Sequence, residues 1–267
     1  MNNLSIAEVH VAQNAKKWSD EERKIRIDLA AAYRMAAMLG WNELIFNHFT
    51  ARIPGTDHIL LNPFGLGFEE ITASSLIKVD LDGNIIEFGS TEHGINVTGY
   101  VIHGAIHRSR PEIYATMHIH NTAGVAVSSM KCGLLENLCQ NSMICGEVAY
   151  HDYEGISVEM DEQKRIQADL GATAKNLILR NHGLLTLGAT MQECFLHMFL
   201  LVKACEIQVM SMSAVGGDLS KLNYGDDKYK EQARVISSKS LTHNAYGVKE
   251  FEYLKRKLDK TDQSYRY

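Results

Sequence analysis

The chain has no cysteine pair in C-x-x-C spacing. Its five cysteines, Cys132, Cys139, Cys145, Cys194 and Cys205, are odd in number and match no zinc motif, so the thiols are expected to be reduced, as in a cytoplasmic protein. It also lacks a long basic run or an interleaved aromatic platform, and its formal net charge is -5, so no nucleic-acid partner is expected. The longest apolar stretch, Phe195 to Val202, is interrupted by His197 and closed by Lys203, short of the roughly 20 residues a bilayer span requires. No membrane partner is therefore expected. The opening MNNLSIAEVHVAQNAKKW has no basic region followed by an apolar core, so no secretory signal is expected either. Internal repeats and low-complexity linkers are absent. What remains is 267 residues, 45% hydrophobic and 22% charged, an ordinary globular composition that can fill one sizeable core.

Patterning divides the chain into an N-terminal extension (1–18), one main domain (19–218), and a C-terminal tail with a helix (219–267). Ser19-Asp-Glu-Glu22 reads as a capping box, with apolar positions from Ile25 to Leu39 recurring at three and four until Gly40. From Ile45 to Glu87 the pattern shortens to strands and connectors, with Asp82-Gly83 as a hairpin signal. A helix is predicted over 98–109, ending before Pro111 and placing His103 and His107 one turn apart; without a glutamate-containing zincin pattern, packing is the better role for that pair. A strand over 113–119, a helix from Asn121, a strand and turn within 147–158, a helix over 161–170, and strands at 176–180 and 184–188 follow. The segment from Met191 to about Met212 is apolar nearly all round, which suits a buried or interfacial helix. EFEYLKRKLD is a final amphipathic stretch.

His118 and His120 lie two apart at the end of a strand, a spacing that turns both rings to one face. His182 follows a second apolar run, in a turn closed by Gly183, and can bring a third imidazole to the same point. Three neutral imidazoles with an open position suit Zn²⁺ or another borderline divalent ion. The same residues also fit a solvated strand face and an ordinary loop.

Beyond spacing, SRPEIYATMHIH, GEVAYHDYEGI, LILRNHGLLTLG and ACEIQV resemble the class II aldolase/adducin family over roughly residues 24–215. The resemblance implies an α/β fold, a three-layer α/β/α sandwich around a mostly antiparallel sheet. It also implies a homotetramer or homodimer with sites between subunits, and one divalent metal ion per subunit, zinc foremost, on His118, His120 and His182. The substrate would be a small molecule.

Two departures qualify this. The aldolase acid/base glutamate falls at Gly99, with no carboxylate at Val97, Thr98 or Tyr100. The phosphate cradle reads Phe46-Asn47, Phe64-Gly65 and Val97-Thr98, and phenylalanine offers a phosphate neither amide nor hydroxyl. Asn47, Gly65 and Thr98 are left as candidate substrate contacts. Proton transfer would fall to another residue: Glu147 or Tyr265 are the candidates, with Glu69, Glu70, Asp152, Tyr246 and Tyr267 weaker. The resemblance thus implies a metal-dependent lyase for aldol cleavage or decarboxylation of a small, non-phosphorylated hydroxy or keto compound. The alternative is a non-catalytic adducin-like binding or scaffold protein, actin-associated in that branch, which the missing glutamate favours and the absence of a long basic tail opposes.

Overall fold

The computed structural model describes residues 18–155, 161–241 and 246–267. Eight strands form one sheet: β1 (His48–Arg52), β2 (His58–Leu61), β3 (Ile77–Asp80), β4 (Ile85–Glu87), β5 (Ala115–Ile119), β6 (Val148–His151), β7 (Asn176–Leu179) and β8 (Gly183–Gly188). Their spatial order is β4-β3-β2-β1-β5-β8-β7-β6. Every pairing is antiparallel except β6 with β7, in keeping with the mostly antiparallel sheet expected.

Side-chain alternation along the central strands fills two layers. On one face Phe49, Met117, Ile119, Ile178 and Leu184 join the core made with helices α1 (Asp20–Met38), α6 (Met191–Ala214) and α8 (Val248–Asp259). On the other face Leu177, Leu179, Leu185 and Leu187 pack with α2 (Val97–Ser109) and α5 (Glu162–Leu170). Short helices α3 (Thr122–Ser128) and α4 (Gln140–Ile144) and the tail helix α7 (Asp227–Leu241) complete the chain. The tail is not detached from the domain: Phe251, Leu258 and Tyr265 are buried in the main core.

Local chemistry sets the element ends. Ser19 caps α1, its hydroxyl accepting from the Glu22 amide at 3.1 Å. The reciprocal half of the predicted box is not made, because the Glu22 carboxylate turns inward to Arg26 at 2.9 Å and Lys78 at 2.8 Å. Arg26 is fully buried and also donates to the carbonyls of Ala73 and Leu76, so its charge is both paired and hydrogen-bonded. At the other predicted turn, the Asp80 carboxylate accepts the amides of Asp82 and Asn84, and Gly83 takes the left-handed φ of 86° that closes the β3–β4 hairpin.

Three expectations change. GFEEI contributes a short 3₁₀ turn, Phe68–Glu70, and no strand. The strand predicted over 113–119 starts at Ala115, because Ile113 bonds back to the Arg110 carbonyl in a turn. Helix α6 is long and apolar enough to cross a bilayer by length and composition, since its few polar residues break the run without lowering the average. Cys194, Phe195, Met198, Leu201, Val202 and Cys205 on it are almost wholly buried against the sheet, which is the environment of a core helix. Residues 1–17 of the predicted extension, and 156–158 of the predicted strand and turn, lie outside the described residues.

Candidate metal centre

One end of the sheet collects the histidines. β5 delivers His118, which pairs across the ladder with His48 at the start of β1, and His120 follows just past the end of β5. His182 stands in the turn between β7 and β8. That turn is tight: Asn181 adopts a left-handed φ of 56°, and a Cβ on Gly183 would sit 2.4 Å from the carbonyl oxygen of Ile119. Only glycine at 183 lets the turn close onto β5 and carry His182 to the other two rings. Ring centroids of His118, His120 and His182 lie 4.6–4.7 Å apart, and one ligand nitrogen from each lies within 4.8 Å of the others.

The hydrogen bonds fix which nitrogens are free. His118 Nδ1 is 3.0 Å from the Leu184 carbonyl oxygen, which only accepts, so Nδ1 donates and Nε2 keeps its lone pair. His120 Nδ1 is 2.7 Å from the Glu43 carboxylate and is held in the same tautomer. The two Nε2 atoms face each other at 2.8 Å. Two lone pairs that close repel unless a proton or a cation lies between them. On two of the rings protonation is opposed: burial, then the neighbouring histidines, hold His118 well below the usual imidazole range, and burial, then His120, brings His182 down to about 4. Neutral imidazoles oriented by a carbonyl and a carboxylate are what a divalent ion requires of its ligands, so the donor set fits the metal the sequence pointed to.

Beside the three lies His48, which motif spacing did not single out. Its ring packs on His118 at 4.9 Å between centroids, and burial, followed by His120 and His182, pushes it down to about 3. A Cβ on Gly99 would meet the His48 ring at 2.8 Å, so this imidazole occupies the space that any side chain at 99 would need. Behind it runs a buried polar row. His48 Nδ1 contacts His103 Nε2 at 2.7 Å, and the Thr50 hydroxyl lies 3.1 Å from His103 Nδ1, 2.8 Å from His107 Nε2 and 2.6 Å from Thr116 Oγ1. His103 and His107 are thus buried packing groups with hydrogen-bond partners, the role expected for that pair.

The remaining predicted residues separate. Asn47 is fully buried beside His48; its Oδ1 accepts the Glu43 amide at 2.7 Å, while its Nδ2 donor meets no acceptor among the described residues. Thr98 donates its hydroxyl to Asn96 Oδ1 at 2.7 Å within the cap of α2, and Gly65, at a φ of 132°, lies against His93. Phe46 and Phe64 in loops, and Val97 at the start of α2, present exposed apolar surface. Neither suggested proton-transfer residue is brought to the histidines. Glu147 is exposed on the edge of the sheet and accepts from Thr173. Tyr265 is fully buried, its hydroxyl on Asp259 at 2.7 Å, and the carbonyls of Tyr265 and Tyr267 pin the chain end to Ala73 and Ser74. Among the described residues the carboxylate in contact with the triad is Glu43, in a loop whose sequence, NELIFN, carries no motif.

Comparison with known proteins bears on the family and the fold. Residues 27–209 match the model of the class II aldolase and adducin N-terminal domain. Rat alpha-adducin is 44% identical over 92% of the chain, which spans 35% of that relative's length, or about a third. An adducin-related protein of Schizosaccharomyces pombe is 44% identical over 94% of the chain and 78% of its own. Among solved structures, an aldolase II superfamily protein from Pseudomonas syringae superposes with a TM-score of 0.86 at 40% identity, covering 96% of this chain and all of that one. L-fuculose 1-phosphate aldolase from Glaciozyma antarctica gives 0.77 at 27% identity, covering 100% of this chain and 97% of its own. The chain belongs to the class II aldolase and adducin N-terminal domain family.

Proposed function

We propose that the protein is a divalent-metal-dependent lyase that cleaves a carbon–carbon bond in a small, non-phosphorylated hydroxy or keto compound, by aldol cleavage or decarboxylation. The observation that carries this reading is the facing pair of Nε2 lone pairs on His118 and His120, each enforced by an acceptor on Nδ1, with His182 alongside. A divalent ion, zinc foremost, supplies Lewis acidity toward a substrate carbonyl or carboxylate oxygen. The chain's own residues do the rest. Glu43 holds the His120 tautomer, and the unpartnered Asn47 Nδ2 offers a donor to a substrate oxygen. His48, in the space beside Gly99, is the side chain best placed to exchange a proton with substrate, through the Nε2 left free by its bond to His103. Exposed Phe64 and Val97 favour an uncharged group over a phosphate at the mouth. The protein would act in the cytoplasm, as its cysteine pattern suggests, and as a homo-oligomer, as the family resemblance suggests.

A second reading has one specific support. The His48 ring fills the volume of the absent acid/base side chain, and a binding domain related to alpha-adducin would have no need of that volume. Untagged protein assayed for bound metal, then screened against hydroxy-keto acids and sugars with and without phosphate, separates the two. Near-stoichiometric metal, with turnover abolished in His118→Ala, supports the lyase. Absence of metal even after zinc addition sinks it, and metal without turnover favours the binding domain.

A further inference from the structure

On the other side of the Asn181-His182 turn lies an open groove of about 570 Å³, between the end of α3 and the loop after β6. Its base is Arg180. The guanidinium stacks over the Tyr150 ring at 4.2 Å and donates Nη1 to the Met130 carbonyl at 2.8 Å. No acidic side chain among the described residues pairs with it, and its Nε and Nη2 donors meet no acceptor among them. Its plane is therefore held fixed while two parallel N–H groups stay unused, the fork that takes a carboxylate or phosphate in bidentate fashion. Lys131 adds a second positive charge to the groove and Asp152 the one negative charge. The Ser128 and Ser129 hydroxyls both donate to the Val125 carbonyl and are not available to an anion, which leaves the binding to the cations.

We propose that this groove is a small-oxyanion site, in which Arg180 forks a carboxylate or phosphate group with Lys131 as the supporting charge. Asn181 lines the groove and His182 follows it in the chain, so the site adjoins the histidine cluster yet shares none of its ligand atoms. It stands whether or not the histidines hold a metal.

The test is calorimetric titration of the full chain, in metal-free buffer, with inorganic phosphate and separately with malonate. Wild-type protein is expected to bind at least one of them saturably, and which one it prefers identifies the ligand as phosphate or carboxylate. Arg180→Met should weaken binding about tenfold or more, and Arg180→Lys, which keeps the charge and loses the fork, by an intermediate factor. His118→Ala should bind within about twofold of wild type. Saturable binding by neither anion overturns the proposal. So does undiminished binding in Arg180→Lys or Arg180→Met, or loss confined to His118→Ala, which would place the anion on the histidines. Circular dichroism checks folding, and should Arg180→Met fail to fold, Arg180→Lys still decides.

Discussion

Replacing Gly99 with alanine puts a methyl carbon 2.8 Å from Cγ and Cδ2 of His48, and that ring has little room to retreat. It is held at 2.7 Å by His103 and lies against His118. Overpacking of this kind costs about 1–3 kcal/mol. Against it stands the gain of alanine over glycine in a helix, at most ~1 kcal/mol and less here because Gly99 is in the first turn of α2. With that gain at about 0.5 kcal/mol, the expected net loss is about 0.5–2.5 kcal/mol, the difference of those two terms. In a His48→Ala background the obstacle is gone, and the same change should be neutral or stabilise by up to ~1 kcal/mol. The signature is therefore a coupling of about 1–3 kcal/mol in a double-mutant cycle, measured by urea unfolding with chelator present so that bound metal does not add its own stabilisation. A Gly99→Ala protein as stable as wild type, or single effects that simply add, would refute the claim that His48 occupies the side-chain space of position 99.

Other expectations follow from the same geometry. Gly183→Ala drives a Cβ to 2.4 Å from a backbone oxygen that cannot move aside, so it should cost about 1–3 kcal/mol and lower metal retention together, read by unfolding and metal analysis. Tyr33→Phe removes the hydroxyl that accepts the Phe49 amide at 2.7 Å and contacts Asn62 Oδ1 at 2.8 Å; leaving that amide unpaired in the core should cost about 1–3 kcal/mol, with m unchanged. The pH dependence has a definite sign. His48 and His107 are pushed to about 3 and His182 to about 4, below the unfolded value, so between roughly pH 6.5 and those values the unfolded chain binds more protons. Metal-free protein should therefore lose stability as pH falls below about 6.5, by at most ~1.4 kcal/mol per pH unit for each such histidine, and a flat urea midpoint from pH 7 to 5 would contradict it.

What the sequence disclosed was what short-range chemistry governs. Ser19 caps its own helix, Asp82-Gly83 turns its own hairpin, and the two-residue spacing of His118 and His120 is a property of one strand. Alternation and helical periodicity made individual strands and helices legible, whereas the three-layer architecture was implied by the resemblance of the family motifs. His48 was not, because its importance arises from the pairing of β1 with β5, which sets it opposite His118 and under Gly99. Glu43 reaches His120 from 77 positions away, a contact no local pattern encodes. Tyr265 shows the complementary case. A terminal segment reads as free to reach elsewhere, whereas two backbone hydrogen bonds and a full aromatic burial tie it into its own subunit. Helix α7 is polar enough that its sequence reads as tail.

The strand order carries a kinetic consequence. The two arms of the histidine cluster come from β5 and from the turn entering β8, and the hydrogen bond that orients His118 reaches a carbonyl 66 residues further along the chain. No fragment ending before β8 contains the site, so an ion has nothing to organise until the centre of the sheet has closed. Contacts that form after the rate-limiting step leave the folding rate untouched and appear instead in the rate of opening. If β5 and β8 pair only after that step, an ion on these histidines would act as a late clasp that lengthens the lifetime of the native state; if they pair before it, the same ion would instead speed folding.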